Sequence, residues 1–342
     1  MRSVYRGVAL AAAAIAGLGP VAASTAAVSA APTAAPAVTG GIRVTRTIPV
    51  GTTPEGVAVN PRTNTIYVAN ADDGTVSVIS GRANRVVATV SVRRASFPRY
   101  LTVNSRTNTV YVSNQAGQNV TVINGRTNKV TARIPVGRDP EGIAANPRTN
   151  LIYLVKPGGF VSGRIWVISG RTHRVVAKVR VGFLPEGTAV NPRANTIYVT
   201  NVGDNTVSVI SGQTDTVTAT VRVGDAPLGV AVNRRTGAVY VTNNSSNTAS
   251  VINGRTNRVV ATVPVGGSPD GAAANPRANT AYTANSTDGT VSVISGRANK
   301  VVATVRVGRH SFPNRVAANP STNTTYVTNA AANTVSVLRP CP

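Results

Sequence analysis

The charged residues best suited to chemistry recur at one place in a repeated sequence. Five residues before a recurrent asparagine, successive copies carry Glu55, Arg99, Glu141, Glu186, Leu228, Asp270 and Asn314. One residue later most copies have glycine, but two have Tyr100 and Arg315. Carboxylates and guanidinium groups that converge in a pocket can bind a polar ligand. The predicted ligand-binding residues are the charged members of these two series, with His310 added as a histidine expected at the same end of the fold: Glu55, Arg99, Glu141, Glu186, Asp270, His310 and Arg315.

Catalytic and metal chemistry have little support in the residue types. The carboxylates of this series are suitable ligands for calcium or groups for proton transfer, but positions in different repeats do not form a paired site. His173 and His310 are the only histidines and fall at different places in the repeat, and the chain has one cysteine. No zinc-ligand spacing and no Ser-His-Asp arrangement can be placed. We therefore predict no catalytic residues, no metal site and no cofactor.

These residues are positioned by a repeat of 42 to 45 residues. Its marker is a tyrosine, found at Tyr67, Tyr111, Tyr153, Tyr198, Tyr240, Tyr282 and Tyr326. Each tyrosine lies in a version of N-T-I-Y-V-x-N, followed by T-V-S-V-I-S-G-R-x-N and V-V-A-T-V-x-V-G. Runs rich in β-branched residues, separated by Asn, Gly and Pro, predict short strands joined by tight turns. The period is typical of the four-stranded blade of a β-propeller.

The first copy shows how one blade is built. The predicted strands A, B, C and D cover about residues 55–60, 65–70, 75–79 and 85–92. The sequences Pro-Arg-Thr-Asn and Gly-Arg-Ala-Asn supply the A–B and C–D turns. The tyrosine and valines of strand B are expected to pack between neighbouring blades.

The number of strands indicates how the ring closes. Strands A, B and C occur seven times, but the last copy stops at residues 334–338 without its strand D. Residues 43–50 match the D pattern and precede the first strand A. Pairing these two segments would remove exposed strand edges. We predict an all-β, seven-bladed β-propeller over residues 42–338, whose last blade is closed by the N-terminal strand.

The repeats resemble the YVTN family of β-propeller repeats. The name-giving motif is unchanged at residues 198–201, 240–243 and 326–329, and the resemblance covers about residues 42–338. The third copy departs from it, with Leu154-Val155-Lys156 and an insertion at residues 157–160. The family includes bacterial periplasmic and surface proteins, archaeal surface-layer proteins and relatives of quinoprotein dehydrogenase heavy chains. The resemblance therefore implies the fold and leaves the function open.

Strand order divides the loops between two faces. The A–B and C–D turns lie on one face, which we call the turn face. The B–C turns and D–A links lie on the other, the mouth face, where the ligand-binding candidates surround the central channel. Of the eleven acidic residues only Asp215 falls in the turns of the turn face, and the other ten fall on the mouth face.

The turn face is correspondingly basic, in a chain of net charge +24. A field of this sign attracts polyanions. The predicted polyanion-binding residues are Arg62, Arg82, Arg106, Arg126, Arg148, Arg171, Arg193, Arg234, Arg255, Arg277 and Arg297. A second interpretation is that these arginines were copied by duplication and are simply solvated.

The leading functional hypothesis is a non-enzymatic binding module for anionic polymers, such as cell-wall polymer, acidic polysaccharide or non-specifically bound nucleic acid. The alternative is a small-ligand receptor or an enzyme, lyase-like, lactonase-like or quinoprotein-related, with its site at the mouth of the channel. His310 with Glu55 is the weak catalytic candidate there. The interpretation that competes with a ligand site is that the mouth residues form ion pairs around a water-filled channel. A structural surface protein held by its repeats is a third hypothesis.

The chain termini predict export. Arg2 and Arg6 precede an apolar stretch at residues 7–19, and residues 28–30 read Val-Ser-Ala. This pattern predicts a signal peptide over residues 1–30 and a spacer over 31–41, hence a secreted or cell-envelope protein. No later apolar run is long enough to span a bilayer, so no integral membrane segment is expected in the mature protein.

The chain has a single thiol, that of Cys341, in a tail at residues 339–342. One thiol forms no internal disulfide, and we expect a monomer.

Overall fold

The computed structural model describes residues 41–159 and 161–341; the predicted signal peptide and nearly all of the spacer lie outside them. The described part contains 28 strands and no helix. They form seven sheets of four antiparallel strands. The first strand of each sheet contacts that of the next, and the seventh contacts the first, so the sheets form a ring. The predicted seven-bladed β-propeller is confirmed.

The first strand of the chain is β1 (Ile42–Pro49). Blade one consists of β2 (Pro54–Asn60), β3 (Thr65–Asn70), β4 (Thr75–Ser80) and β5 (Arg85–Ser91). Blade two consists of β6 (Pro98–Asn104), β7 (Thr109–Asn114), β8 (Asn119–Asn124) and β9 (Lys129–Pro135). Blade three consists of β10 (Ile143–Asn146), β11 (Leu151–Gly158), β12 (Val161–Ser169) and β13 (Val175–Phe183). The insertion predicted in blade three lengthens the hairpin formed by β11 and β12.

Blades four to seven repeat the arrangement. Blade four consists of β14 (Pro185–Asn191), β15 (Thr196–Asn201), β16 (Thr206–Ser211) and β17 (Thr216–Arg222). Blade five consists of β18 (Pro227–Val232), β19 (Ala238–Asn243), β20 (Thr248–Asn253) and β21 (Arg258–Pro264). Blade six consists of β22 (Pro269–Asn275), β23 (Thr280–Asn285), β24 (Thr290–Ser295) and β25 (Lys300–Arg306). Blade seven contains β26 (Pro313–Asn319), β27 (Thr324–Asn329) and β28 (Thr334–Pro340), and takes β1 as its outer strand.

Strand B forms the core between blades, as predicted. Tyr67 of blade one is fully buried and packs against Leu101 and Val110 of blade two. The equivalent Tyr111, Tyr153, Tyr198, Tyr240 and Tyr326 are also buried. Complete burial of a large apolar side chain stabilises a fold by about 1.5–3 kcal/mol, so these contacts hold neighbouring blades together.

The ring is closed by antiparallel pairing of β1 with β28. Ile42 lies opposite Pro340, and Ile48 lies opposite Val335. Ile48 is only 2% exposed because it enters the core between blades seven and one. Strand β28 runs two residues past the predicted end of the propeller at 338, because β1 supplies pairing partners as far as Pro340.

A ring of asparagine pairs joins the blades on the turn face. In six of the seven junctions, the side-chain amide of the last asparagine of strand A donates to an asparagine in the next blade's A–B turn. The pairs are Asn60–Asn108, Asn104–Asn150, Asn146–Asn195, Asn233–Asn279, Asn275–Asn323 and Asn319–Asn64, with N···O distances of 2.7 or 2.8 Å. The accepting asparagines have φ near +50°, a backbone region that asparagine tolerates. Between blades four and five the acceptor position is Gly237, so Asn191 lacks this partner.

No helix in the described residues is long and apolar enough to cross a membrane.

Candidate functional site

The arginines of the turn face project from turns whose backbone is fixed by side-chain hydrogen bonds. In the A–B turn of blade one, the N–H of Arg62 donates to Oδ1 of Asn60 at 3.1 Å. In the C–D turn of blade two, the N–H of Arg126 donates to Oδ1 of Asn124 at 2.9 Å. Serine does the same in other C–D turns. The repeated asparagine or serine therefore positions the arginine backbone and leaves its side chain free to reach outward.

All eleven arginines predicted to bind polyanions are exposed. The ion pairs of the described residues all involve Arg99 or Arg315, so none of the eleven is neutralised by a carboxylate there. Asp215, the one acid in these turns, takes the positive-φ position of its turn and has one buried carboxylate oxygen. Burial raises the pKa of Asp215. The turn face is thus a surface of uncompensated positive charge.

Four arginines of the A–B turns line the opening of the central channel on this face. A cavity of about 600 Å³ lies there, lined by Arg62, Arg106, Arg148 and Arg234. We call it the turn-face cavity. Proline, serine and arginine side chains form its wall, and no carboxylate contributes to it. A second cavity of about 230 Å³ lies next along the channel and shares Arg234 with the first.

Arg234 occupies a different position in its A–B turn from the other turn arginines. It takes the place of the proline that follows the last asparagine of strand A in most copies, and this place lines the channel. Desolvation by the channel walls lowers the pKa of Arg234, and the nearby Arg193 lowers it further. The side chain still reaches solvent and stays protonated, because a guanidinium group remains charged in proteins. No carboxylate among the described residues pairs with Arg234 to offset these effects.

At the opposite end of the channel, the predicted mouth residues bind one another. Arg99 of blade two pairs with Glu141 of blade three at 2.7 Å and with Glu186 of blade four at 3.4 Å. Gln115 donates to the other oxygen of Glu141 at 2.8 Å. Both carboxylates are thus occupied by groups from blade two.

Arg315 completes the network from the other side of the ring. It pairs with Asp270 of blade six and, across the channel, with Glu186 of blade four at 3.5 Å. Only 12% of its side chain is exposed. Side chains from blades two, three, four, six and seven therefore contact one another at the axis of the channel. We call this network, formed by Arg99, Tyr100, Glu141, Glu186, Asp270 and Arg315, the polar plug.

Tyr100 lies at the centre of the polar plug. Its hydroxyl donates to Glu186 at 2.7 Å and accepts a hydrogen bond from Arg315. The guanidinium carbons of Arg99 and Arg315 lie 5.3 and 4.8 Å from the ring centroid, within the range of cation–π attraction. Burial raises the pKa of Tyr100, and the positive charge of Arg315 offsets only part of that effect. The phenol therefore stays neutral and can serve as both donor and acceptor.

Glu141 has the most perturbed carboxylate of the plug. It is only 7% exposed, and desolvation raises its pKa to about 7 in spite of the attraction of Arg99. The negative charge of Glu186 acts in the same direction. Burial opposes the charge of Arg99, but its neighbours, which include the carboxylates of Glu141 and Glu186, raise its pKa overall. Burial, rather than the ion pair, therefore controls the protonation of Glu141.

Two predicted mouth residues lie outside the plug. Glu55 accepts a hydrogen bond from Asn314, which in turn accepts one from Arg315 at 2.9 Å. His310 is exposed, and no hydrogen bond or ion pair within the described ranges joins it to the plug. The structure thus joins Arg99, Glu141, Glu186, Asp270 and Arg315 directly, links Glu55 through Asn314, and leaves His310 apart.

Three residues that bond to the predicted ones were absent from the predicted site: Tyr100 within the plug, and Gln115 and Asn314 beside it. The available signal was the replacement of the usual glycine by Tyr100 and Arg315. In other blades this glycine lies against the backbone of the next blade; a Cβ at Gly187 would come within 2.2 Å of the Leu228 carbonyl oxygen. A side chain can therefore stand at this position only where the contact with the next blade differs, as at Tyr100 and Arg315, which line the channel.

The strand-B threonines hold the mouth residues of the following blade. The hydroxyl of Thr200 donates to the carbonyl of Leu228 at 2.8 Å, and that of Thr242 donates to the carbonyl of Asp270 at 2.6 Å. Thr328 does the same for Glu55 at 2.8 Å. These are the threonines of the three unchanged Tyr-Val-Thr-Asn sequences. No group of three or more His, Cys, Asp or Glu side chains within the described ranges is arranged to hold a metal ion.

Comparison with known proteins supports the fold and little more. No family model matches the chain. A stretch of 45 residues, 13% of the chain, is 53% identical to the PE-PGRS family protein PE_PGRS18 of Mycobacterium tuberculosis and covers 10% of that protein. A solved structure of Kuenenia stuttgartiensis hydrazine synthase superimposes with a TM-score of 0.74 over 85% of this chain and 97% of that one, at 20% identity. At this identity the structural match shows a shared β-propeller fold.

Proposed function

We propose that the protein is a β-propeller of the YVTN type that acts as a non-enzymatic binding module for anionic polymers, through the turn face. The observation that carries this proposal is the set of eleven exposed arginines on one face, without a carboxylate paired to any of them in the described part. Guanidinium groups bind phosphate and carboxylate oxygens through parallel hydrogen bonds. A rigid disc that presents many such groups gains affinity from counterion release, whatever the sequence of the polymer.

The acidic residues are distributed unequally between the two faces. The carboxylates of Glu55, Glu141, Glu186 and Asp270 lie on the mouth face, where they are bound to arginine or asparagine groups. Asp73, in a B–C turn, accepts a hydrogen bond from the backbone of Thr52 in a D–A link. Exposed arginines such as Arg94 and Arg138 lie on the mouth face as well, but ten of the eleven acids fall there, whereas Asp215 is the single acid in the A–B and C–D turns. We therefore expect a polyanion to prefer the turn face. Binding in one orientation follows from this asymmetry.

The polar plug makes a small-ligand site at the mouth the weaker candidate. Its charged groups already bind one another, and the cavity beside Tyr100 and Arg315 measures only about 130 Å³. The observation in its favour is the raised pKa of Glu141, since perturbed carboxyl groups are common at functional sites. A ligand there would have to displace Arg99 or Arg315 from its carboxylate. A thermal-shift screen with sugars, lactones, metals and quinone cofactors tests this candidate directly.

The proposed place of action is outside the cytoplasm, in the medium or the cell envelope, as a monomer. The support is the basic and apolar N-terminal pattern of residues 1–30. Mass spectrometry of the protein recovered from culture supernatant and cell-wall fractions should find a new N-terminus between residues 24 and 31. Recovery of the full chain from the cytoplasm alone would contradict this location. Light scattering coupled to size-exclusion chromatography tests the monomer.

The binding function is tested by comparing two triple variants of equal charge. The first replaces Arg62, Arg148 and Arg193 of the turn face with glutamine. The matched control makes the same replacement at the exposed Arg46, Arg222 and Arg306, which lie on the outer strands β1, β17 and β25. Fluorescence anisotropy with a labelled DNA duplex, at several salt concentrations, measures affinity and its salt dependence.

The turn-face variant should lose affinity and show a salt slope smaller by about 2–3, because each lost phosphate contact removes about 0.9 from the slope. The outer-strand control should change much less. Equal losses in the two triple variants would show that net charge alone attracts the polymer and that the turn face is not a binding surface. Heparin chromatography should give the same order of elution.

A further inference from the structure

The central channel differs at its two ends. On the mouth face the polar plug crosses the channel, where Arg315 reaches Glu186 from the opposite side of the ring. On the turn face the channel opens into the turn-face cavity of about 600 Å³. The deeper cavity of about 230 Å³ shares Pro61, Ser105, Pro147 and Arg234 with it. The channel is therefore a pocket whose entrance is on the basic face.

The charge of this pocket is of one sign. Arg62, Arg106 and Arg148 stand at the entrance, and Arg234 lines both the entrance and the deeper part. Neither lining includes a carboxylate. Uncompensated charges in a concave site with low-dielectric walls concentrate the electric field and raise the local concentration of counterions. The volume of the entrance is typical of small-molecule sites.

Blade five contributes a different wall residue from the other six blades. Five copies have proline at this point of the wall, one has Ser105, and blade five has Arg234. The substitution introduces one guanidinium group into an otherwise uncharged stretch of channel. Burial in the channel wall, together with the positive charge of Arg193, lowers the pKa of Arg234, so an anion bound in the cavity would stabilise the charged guanidinium group as well as accept its hydrogen bonds.

We propose that the turn-face cavity binds one compact, multiply charged phosphate compound of the oligophosphate class, with Arg234 contacting the group that enters deepest and Arg62, Arg106 and Arg148 contacting the rest. Arginine suits this ligand class because its planar fork pairs with two phosphate oxygens at once. The inference rests on the proposed function and deepens it. The same chemistry could be offered by a free oligophosphate or by the end of a longer phosphate polymer.

The experiment is isothermal titration of the full-length chain with sodium tripolyphosphate and, separately, with long-chain polyphosphate. We expect one tripolyphosphate per chain. Arg234→Pro restores the Asn-Pro sequence of five other copies, so the turn should fold as it does there. This variant should weaken tripolyphosphate binding about ten- to hundredfold, which corresponds to loss of a charged hydrogen bond. Arg222→Ala on β17 removes one exposed arginine outside the pocket and should change the affinity less than about twofold, as expected for a distant exposed charge.

The outcomes separate this inference from the binding function itself. If polymers bind and tripolyphosphate does not, or if Arg234→Pro and Arg222→Ala have the same effect, the pocket is rejected and the turn face stands. If several tripolyphosphates bind per chain without dependence on Arg234, the pocket is likewise rejected. If neither polymer nor tripolyphosphate binds, the proposed function fails. Binding of long polyphosphate that also depends on Arg234 identifies a chain end as the ligand, whereas independence assigns the pocket to the free compound.

Discussion

The missing asparagine pair between blades four and five offers a direct measure of what joins the blades. Asn191 stands where the other six donors stand, but Gly237 provides no side-chain acceptor. A Cβ placed on Gly237 meets no atom within 4 Å, so there is room for a side chain. Gly237 has φ +81°, within the positive-φ region where asparagine is tolerated. We therefore expect Gly237→Asn to complete the ring of pairs.

The size of the effect follows from two contributions. A new hydrogen bond between neutral side chains adds about 1 kcal/mol to the free energy of unfolding. Replacing glycine at a compatible backbone position adds about 0.4–1 kcal/mol by reducing the freedom of the unfolded chain. With a total of about 1–2 kcal/mol and the unfolding entropy of a 300-residue domain, Tm should rise by about 2–3 °C. Differential scanning calorimetry measures this shift.

Two further variants separate the hydrogen bond from the backbone effect. Asn279→Gly removes the acceptor between blades five and six and should lower the free energy of unfolding by a similar amount. A double-mutant cycle of Gly237→Asn with Asn191→Ala isolates the pair, with an expected coupling of about 1 kcal/mol. A coupling near zero, or an unchanged Tm in Gly237→Asn, would refute the idea that these pairs stabilise the ring.

Two other predictions concern the plug and the closing strand. Because the folded-state pKa of Glu141 is raised from 4.5 to about 7, its contribution to stability is present below pH 4.5 and is lost as pH rises towards 7. Wild type should therefore lose up to about 3 kcal/mol of unfolding free energy, relative to Glu141→Gln, between pH 4.5 and 7 in urea titrations. Deleting residues 42–49 removes the partner of β28 and exposes the edge of that strand, so the variant should aggregate, as measured by size-exclusion chromatography. Adding the same residues after residue 341 through a short linker should restore the folded monomer.

Each of these has a contrary result. Parallel stability curves for wild type and Glu141→Gln across this pH range would mean that Glu141 is ionised without penalty and that the plug is more hydrated than its burial indicates. A deletion variant that remains soluble, monomeric and as stable as wild type would mean that β1 does not close the ring.

The repeat made the fold predictable. Seven tyrosines at regular spacing, with β-branched runs between turn residues, specified the strands to within a few residues, and the absent last strand D identified β1 as its substitute. Strand number and pairing follow from local patterns that are copied seven times. The extension of β28 to Pro340 was missed because the tail has no repeat to match and is ordered only by its partner.

The candidate sites were predictable to different degrees. The positions of the turn arginines follow from strand order alone, because each lies in a turn of fixed direction. The pairing within the plug does not, since Arg99, Arg315 and Tyr100 come from different blades and meet only when the ring is closed. The cavity at Arg234 could not be predicted either, because the sequence of one repeat does not indicate which turn residue lines the channel.

Because β1 pairs with β28, both ends of the described chain lie on the same face. β1 starts, and β28 finishes, on the turn face, where the N–H of Cys341 donates to the carbonyl of Gly41 at 2.7 Å. A tether attached at either end would therefore pull from the same side as the exposed arginines. Traction between the two ends would open blade seven one residue pair at a time, from Ile42 and Pro340 inward. Such a force would therefore act first on the edge of the face by which we expect the protein to bind.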